Sequence, residues 1–166
     1  IALQNKYAEG KAIENSLQTN GTTLTEEWCR FFRDHHFLIG LSIDGPEHCH
    51  DRYRVYKSGQ PSFQRAMKGL ELLKKFNVEF NTLSVVNDYN SKFPLEVYRF
   101  LKGIGSHYMQ FIPIVEWIDP QAGPDELSIL PAMTKKAAEV TEWTVDPSDY
   151  GNFLTHSSKI LMRKLP

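Results

Sequence analysis

The sequence predicts an α/β fold in which helices cover a parallel β-sheet. Apolar segments of strand length alternate with amphipathic helical segments, and polar residues collect after the strands rather than after the helices. Four strands and three connecting helices in strict alternation imply right-handed βαβ crossovers. The chain has 166 residues, of which 41% are hydrophobic, so we expect one globular domain or a large part of one.

The four predicted strands are short apolar segments bounded by turn signals. They cover residues 15–20, 37–43, 78–86 and 108–115. The first closes at Asn20-Gly21, which is a turn dipeptide. The second is almost continuously apolar, as is typical of a strand buried on both faces of a parallel sheet. Because chemistry in such folds sits at the C-terminal ends of the strands, the residues that follow each strand are the candidate site.

Amphipathic patterns predict the helices between these strands. Thr23 and Glu26 have capping-box spacing ahead of the first helix. Ser62 is a candidate N-cap for the second helix, whose apolar residues recur at i+3 and i+4 spacing through residue 76. Pro94 suits the first turn of the third helix.

The C-terminal part of the chain differs in composition. Proline and glycine are frequent in residues 117–131, which we expect to be a loop. A helical stretch is expected around residues 135–142, and a last helix near Asp146. The chain therefore divides into an α/β part, residues 1–116, and a loop-rich extension with a terminal helix, residues 117–166.

Charge and hydropathy exclude several classes of partner. The 19 Lys and Arg residues are balanced by 20 Asp and Glu residues, which argues against nucleic acid. No apolar segment approaches the roughly 20 residues that cross a bilayer, and no export leader is evident, so we expect no membrane partner. Two cysteines cannot make a disulfide framework, which favours the cytoplasm. Because the chain opens at Ile1, without Met and in helical sequence, we expect a piece of a longer protein.

Motifs at the strand ends resemble those of one enzyme family. They are Gln-Thr-Asn-Gly at 18–21, Ser-Ile-Asp-Gly-Pro at 42–46 and Gln-Phe-Ile at 110–112. In combination they resemble the barrel of the anaerobic sulfatase-maturating enzymes, which belong to the radical S-adenosylmethionine superfamily. The resemblance covers about residues 15–154. It implies a (β/α)6 partial TIM barrel, of which residues 1–116 hold about four parallel strands with their flanking helices.

The resemblance also implies an activity and cofactors. In this family a reduced [4Fe–4S] cluster donates an electron to S-adenosylmethionine, which releases a 5′-deoxyadenosyl radical. The radical takes a hydrogen from the Cβ of a Cys or Ser in a sulfatase polypeptide, and oxidation yields formylglycine. The protein's own share is to bind and orient the cofactor and the peptide and to exclude water.

The resemblance assigns roles to five residues. Ser42 resembles the strand-end serine that hydrogen-bonds the cofactor, and Arg54 resembles the arginine that faces its carboxylate, a partner that suits a guanidinium fork. Val115 matches the position whose backbone meets the adenine. Gln18 and Asn20 line the mouth where the peptide lies. No residue of this chain is assigned a catalytic or metal-binding role.

Simpler interpretations of these residues stay open. Ser42 and Asp44 can cap the turn that follows their strand, and Asp44 in particular is expected to support the loop. Arg54 can be a surface cation. Gln18 and Asn20 can serve turn chemistry alone, because Asn-Gly needs no ligand.

The sequence departs from the family in its cluster ligands. The family's cluster is held by Cys-x3-Cys-x2-Cys, whereas Cys29 and Cys49 stand apart here, and the Gly-Gly-Glu-Pro segment that holds the cofactor's amino group is missing. We therefore expect the middle of a barrel that is inactive alone, the enzyme being its full-length parent. Residues 156–166 no longer follow the family pattern. At 48–50, His-Cys-His points its side chains in different directions and favours loop polarity over a metal site.

Three other functions remain as alternatives. One is another radical S-adenosylmethionine enzyme that modifies a different peptide or a nucleotide. A second is a truncated, non-catalytic product that binds a peptide or self-associates through its exposed strand edges. The least favoured is an ordinary (β/α)-barrel aldolase or phosphate binder, because the chain lacks a strand-end lysine and a glycine-rich phosphate loop.

Overall fold

A computed structural model describes residues 1–118 and 140–162 of the chain. The predicted helical stretch around 135–142 lies largely outside the described residues, and so do residues 163–166. The elements in chain order are α1 (Ala2–Tyr7), β1 (Asn15–Thr19), α2 (Glu26–Asp34), β2 (Phe37–Ser42), α3 (Glu47–His50), α4 (Phe63–Lys75), β3 (Phe80–Val86), a 3-10 turn (Asn90–Lys92), α5 (Pro94–Gly103), β4 (Met109–Pro113) and α6 (Pro147–Met162).

The four strands form one parallel sheet in the order β1-β2-β3-β4. Strands that are neighbours in the sheet are therefore neighbours in sequence. Crossovers of one hand that advance in one direction put all the connecting helices on the same face of the sheet. This is the wall of a (β/α) barrel and not a doubly wound sheet, whose strand order reverses. The predicted α/β fold, with about four parallel strands and flanking helices, is confirmed.

The helix-covered face of the sheet holds the core. Ile39 of β2 is fully buried in one cluster with Phe32 of α2 and Leu73 of α4. Two residues further along β2, Leu41 is buried in a second cluster that includes Val97 of α5. Burying each such side chain contributes about 1.5–3 kcal/mol. The odd-numbered residues of β2 therefore fix the helices on this face.

The other face of the sheet is open within the described residues. The strand register aligns Gln18 of β1 with Gly40 of β2 and Asn81 of β3 on this face. Leu38 and Tyr108 line the same face and are 37% and 73% exposed. The prediction that the second strand is buried on both faces is therefore wrong for the part of the chain that is described. Its even-numbered residues, Leu38, Gly40 and Ser42, are exposed or half-buried, whereas Ile39 and Leu41 are fully buried.

Two helix caps differ in detail from the sequence prediction. The N-cap of α2 is Thr25, whose Oγ1 accepts a hydrogen bond from a backbone N–H of the first turn at 3.3 Å. Thr23 still belongs to the preceding turn. Ser62 is the N-cap of α4 as predicted, but the cap is made by Asp51, whose Oδ1 accepts from the backbone N–H groups of Ser62 and Phe63 at 2.9 and 2.8 Å. The Ser62 hydroxyl is thereby free for other partners.

The last helix begins where the sequence predicts. Asp146 Oδ1 accepts hydrogen bonds from the backbone N–H groups of Ser148 at 2.8 Å and Asp149 at 3.3 Å. Phe153 of this helix is fully buried in the cluster that contains Leu41, so α6 packs onto the barrel wall. Among the helices of the described residues, none combines the length and apolarity that crossing a membrane requires.

Candidate functional site

The candidate site lies at the edge of the sheet where β2, β3 and β4 end. A cavity of about 400 Å³ opens there. It is lined by Asp44, Tyr53, Arg54, Val85, Asn87, Ile114 and Trp143. Because the C-terminal ends of parallel strands meet at one edge, the fold itself brings these segments together.

Asp44 and Arg54 form a bidentate ion pair on the wall of this cavity. Arg54 Nε lies 2.6 Å from Asp44 Oδ2, and Nη2 lies 3.1 Å from Oδ1, which is the fork geometry of a strong charge-assisted pair. The Asp44 side chain is 4% exposed and that of Arg54 is 26% exposed. Asp44 Oδ1 also accepts from the backbone N–H of Val85 at 2.8 Å. Asp44 therefore joins the ends of β2 and β3 and supports its loop, as the sequence predicted.

The turn after β2 requires a glycine. Gly45 has a φ of +120°, and a Cβ there would lie 2.9 Å from Val97 Cγ2 of α5. On the other side, Asn90 Nδ2 donates to the carbonyl oxygens of Asp44 at 3.2 Å and Val85 at 2.8 Å. The backbone that carries Asp44 is thus held by close packing and by hydrogen bonds.

His50 lies behind the ion pair and is only 1% exposed. Its Nδ1 is 3.4 Å from the backbone nitrogen of Asp44, and its Nε2 is 3.1 Å from Ser62 Oγ. Burial lowers the pKa of His50 below its usual value of 6.5, against the opposing charge of Asp44. A neutral imidazole therefore stands behind the site at neutral pH.

The other two predicted cofactor residues lie at the strand ends but do not line the cavity. Ser42 ends β2 in register with Leu83, is half-buried, and its hydroxyl makes no hydrogen bond to any described residue. Val115 follows the cavity-lining Ile114 and is 54% exposed. The structure thus brings Ser42, Arg54 and Val115 to one edge of the sheet.

The predicted peptide residues at the end of β1 lie apart from this cavity. Gln18 projects onto the open face beside Gly40, where a Cβ would stand 3.2 Å from Gln18 Cγ. It lines a separate cavity of about 360 Å³ on that face. Asn20 Oδ1 accepts from the Thr22 backbone N–H at 3.1 Å and from the Thr22 hydroxyl at 3.0 Å. Asn20 therefore serves an Asx turn, as the simpler interpretation allowed.

The sequence analysis assigned no site role to two aromatic residues of the cavity wall, Tyr53 and Trp143. The Tyr53 hydroxyl donates to Asp88 Oδ1 at 2.7 Å, and Trp143 Nε1 donates to Glu116 Oε2 at 2.6 Å. The two rings are 6.4 Å apart. Asn87 was indicated by its place after β3, whereas no sequence signal connects Trp143 with a loop 90 residues earlier in the chain.

The thiols and imidazoles of the chain do not form a cluster site among the described residues. Burial raises the pKa of the Cys49 thiol to about 12 and also raises that of Cys29, so neither favours the thiolate that ligates iron. His48 faces Glu96 at the surface at 2.9 Å, while His50 is buried. No three His, Cys, Asp or Glu residues in the described part are placed to hold a metal ion.

Comparison with known proteins finds relatives along almost the whole chain, although no family model matches. A serine-type anaerobic sulfatase-maturating enzyme of Bacteroides thetaiotaomicron is 51% identical over 154 residues, which are 93% of this chain and 37% of that protein. A cysteine-type anaerobic sulfatase-maturating enzyme of Clostridium novyi is 35% identical over 139 residues, 84% of this chain and 33% of that protein.

A solved structure gives the same relationship. Native anSMEcpe with bound AdoMet is 31% identical, with a TM-score of 0.80 over 98% of this chain and 40% of that chain. The chain thus spans less than half the length of the relatives that it matches. The sequence relatives and the solved structure point to the same family as the strand-end motifs. The chain belongs to the anaerobic sulfatase-maturating enzyme family, as a part of its barrel.

Proposed function

We propose that this chain is the cofactor-facing and peptide-facing part of a radical S-adenosylmethionine enzyme. The parent enzyme is an oxidoreductase that converts a Ser or Cys of a sulfatase polypeptide to formylglycine. The chain alone is inactive in this proposal, because it supplies no ligands for the [4Fe–4S] cluster. Residues 1–116 are the barrel part, and residues 117–166 are an extension whose last helix packs onto it.

One observation carries the proposal: Ser42 ends β2 and Val115 follows β4 at the edge of the parallel sheet where a cavity of about 400 Å³, lined by Arg54, opens. A hydroxyl without a described partner, a guanidinium and exposed backbone are suitable groups for holding a charged nucleotide. The solved relative with bound AdoMet supports this choice of ligand.

The ion pair restricts how Arg54 takes part. Two of its nitrogens, Nε and Nη2, already donate to Asp44. Its Nη1 makes no hydrogen bond within the described residues, so both N–H groups of Nη1 and the second N–H of Nη2 are left for the cofactor's carboxylate. Ser42 Oγ provides a second hydrogen-bond group at the same edge.

The protein's residues bind and orient the cofactor rather than perform the redox step. When bound beside a reduced cluster, S-adenosylmethionine supplies the hydrogen-abstracting chemistry. In the proposed site Ser42 and Arg54 hold the amino-acid end of the cofactor, and the Val115 backbone meets its adenine. Tyr53 and Trp143 line the same cavity, and in this proposal their rings shield the bound cofactor from water.

The peptide is proposed to approach along the open face of the sheet. Gln18 is exposed there and has an amide that can bond an extended backbone, and Asn20 lies just beyond the same strand. The solved structure of native anSMEcpe with bound AdoMet and Cp18Cys peptide supports a peptide partner. Because the identity is 51% to a serine-type and 35% to a cysteine-type relative, a serine peptide is the first substrate to test.

The proposed location is the cytoplasm. Cys29 and Cys49 are both buried and unpaired, and reduced thiols suit a reducing compartment. An oxygen-sensitive cluster in the parent enzyme suits the same compartment.

A chimeric enzyme tests this function. The 154 matched residues of the Bacteroides thetaiotaomicron relative are replaced by those of this chain, and formylglycine in a serine sulfatase peptide is measured by mass spectrometry under anaerobic, reducing conditions. We expect formylglycine formation that Ser42→Ala reduces. A chimera that folds, loads its cluster and forms no formylglycine from either a serine or a cysteine peptide would contradict the proposal.

A second proposal concerns self-association of the isolated chain. Among the four described strands, β1 and β4 are at the edges of the sheet, and unpaired backbone groups at an edge seek partners. We expect a dimer or larger species by size-exclusion chromatography with light scattering. A clean monomer at high concentration would rule this out.

A further inference from the structure

A buried chain of hydrogen bonds runs behind the ion pair and connects both of its backbones. The His50 imidazole sits at its centre, between the Asp44 backbone N–H and the Ser62 hydroxyl. The Ser62 hydroxyl lies 2.6 Å from the Arg54 carbonyl oxygen, and the Arg54 backbone N–H donates to the His50 carbonyl at 3.0 Å. The backbone of Arg54 is therefore fixed on both sides by groups that lead back to His50.

The direction of each hydrogen bond fixes the protonation of His50. The single proton of Ser62 Oγ is donated to the Arg54 carbonyl, which can only accept. Ser62 Oγ must therefore accept from His50 Nε2. The Asp44 backbone N–H can only donate, so His50 Nδ1 must accept. His50 is thus neutral and carries its proton on Nε2, since a second proton on Nδ1 would face the Asp44 N–H.

The charges around His50 do not override this assignment. Asp44 and Asp51 favour its protonation and Arg54 opposes it, but burial has the largest effect and lowers its pKa. The Phe63 ring packs edge-on against the imidazole at 5.7 Å and offers no polar group. The neutral form agrees with the hydrogen-bond directions.

From this geometry we propose that His50 is a positioning residue for the strand-end site. As the neutral Nε2–H tautomer it holds the backbone of Asp44 directly and the backbone of Arg54 through Ser62, and so keeps the Arg54 guanidinium at the cavity wall. The proposal rests on the proposed function, because it assumes that the remaining N–H groups of this guanidinium meet the cofactor. Ser62 is the relay, and loss of its hydroxyl has the same effect as loss of the imidazole donor.

The tautomer is tested without any activity measurement. Long-range ¹H–¹⁵N correlation spectra of the ¹⁵N-labelled chain, assigned with His50→Gln, report the protonation of each ring nitrogen. We expect a neutral Nε2–H imidazole at pH 7 and a titration midpoint below the usual 6.5. An Nδ1–H tautomer, or a cation at pH 7, would overturn the proposal.

The positioning role is tested in the chimeric enzyme described above. His50→Leu removes both hydrogen bonds and is expected to raise the KM for S-adenosylmethionine about tenfold, as loss of a supporting partner typically does. His50→Gln keeps a donor toward Ser62 and is expected to recover part of that loss, and Ser62→Ala is expected to resemble His50→Leu. The neighbouring His48→Gln, at the surface, is the matched control and should leave KM unchanged.

The outcomes separate this inference from the proposed function. If the parent chimera is inactive, the proposed function fails whatever His50 does, and the tautomer still stands or falls by its spectrum. If the chimera is active and His50→Gln, Ser62→Ala and the parent share one KM for S-adenosylmethionine, the positioning role is wrong. Should His50→Leu fail to fold, the KM values of His50→Gln and Ser62→Ala, compared with that of the parent, still test the positioning role.

Discussion

The ends of β1 and β2 lie at the same edge of the sheet but are held in different ways. Asp44, after β2, bonds Arg54, Val85 and Asn90, which lie 10 to 46 residues away in sequence. Asn20, after β1, bonds Thr22, two residues on, and no other residue in the described part of the chain. The first is a product of tertiary structure and the second of a local turn.

This difference indicates where the site is rigid. A buried carboxylate with several long-range partners holds one geometry, because moving it would leave several polar groups unsatisfied. An exposed Asx turn carries no such constraint. We therefore expect cofactor binding to depend on the end of β2, and the end of β1 to tolerate change.

The largest expected effect comes from removing the carboxylate at the end of β2. Asp44→Ala leaves the buried part of Arg54 and the Val85 N–H without a partner, and should lower the free energy of unfolding by about 3 kcal/mol. Urea unfolding measures this. The control is Asp34→Ala, which breaks the exposed pair with Arg33 and should cost below about 1 kcal/mol. Equal losses of unfolding free energy in the two variants would show that the Asp44 pair contributes no more than an exposed ion pair, and would contradict the rigid end of β2.

The backbone just after β1 packs tightly against α4. A Cβ on Gly69 of α4 would lie 2.2 Å from the carbonyl oxygen of Gly21, just after β1. Gly69→Ala should therefore destabilise the fold by about 2 kcal/mol, as overpacking does. Gly103→Ala, where a Cβ meets nothing within 4 Å, should be neutral or stabilising by up to about 1 kcal/mol. Thermal unfolding compares them, and a harmless Gly69→Ala would contradict this packing.

The end of β2 should also give the fold a pH dependence. His50 has a pKa below its unfolded value of 6.5, so between those two values the unfolded chain binds more protons than the folded one. Stability from His50 is therefore fully present above pH 6.5 and is lost as the pH falls toward the lowered pKa. Urea unfolding between pH 5 and 8 should show this slope in the parent and in His48→Gln, and a smaller slope in His50→Gln. If His50→Gln showed the same dependence of unfolding free energy on pH as the parent, a group other than His50 would cause it.

The smallest expected effect is at the exposed turn after β1. Asn20→Ala removes two local hydrogen bonds and should cost about 0.5 kcal/mol. Thr22→Val, which removes one of them, is the matched variant. If Asn20→Ala lowered the unfolding free energy as much as Asp44→Ala, the end of β1 would be held by more than a local turn.

The fold was accessible to sequence reasoning because local patterns determine it. The apolar run of β2 and the amphipathic stripe of α4 gave the elements, and consecutive parallel strands leave few topologies. The capping of α4 by Asp51 was missed because the carboxylate comes from outside the helix. The burial of β2 on one face only was also missed, since an apolar run does not show what lies opposite it.

The site was accessible in part. The family resemblance singled out Arg54, which lines the cavity, but its partner Asp44 follows from a contact between separate segments. The use of the Arg54 fork by Asp44 and the arrival of Trp143 at the cavity wall are of this kind. Spacing in the sequence does not distinguish an arginine that faces a ligand from one that is paired within the protein.

The most direct test of the account is the affinity of the chimeric enzyme for S-adenosylmethionine, measured by anaerobic titration calorimetry. Ser42→Ala should weaken binding about tenfold, the effect of losing one hydrogen bond to a charged ligand, with the unfolding free energy unchanged. Asn20→Ala should leave the affinity as it is. Equal affinity in the parent and Ser42→Ala would contradict the claim that the end of β2 holds the cofactor.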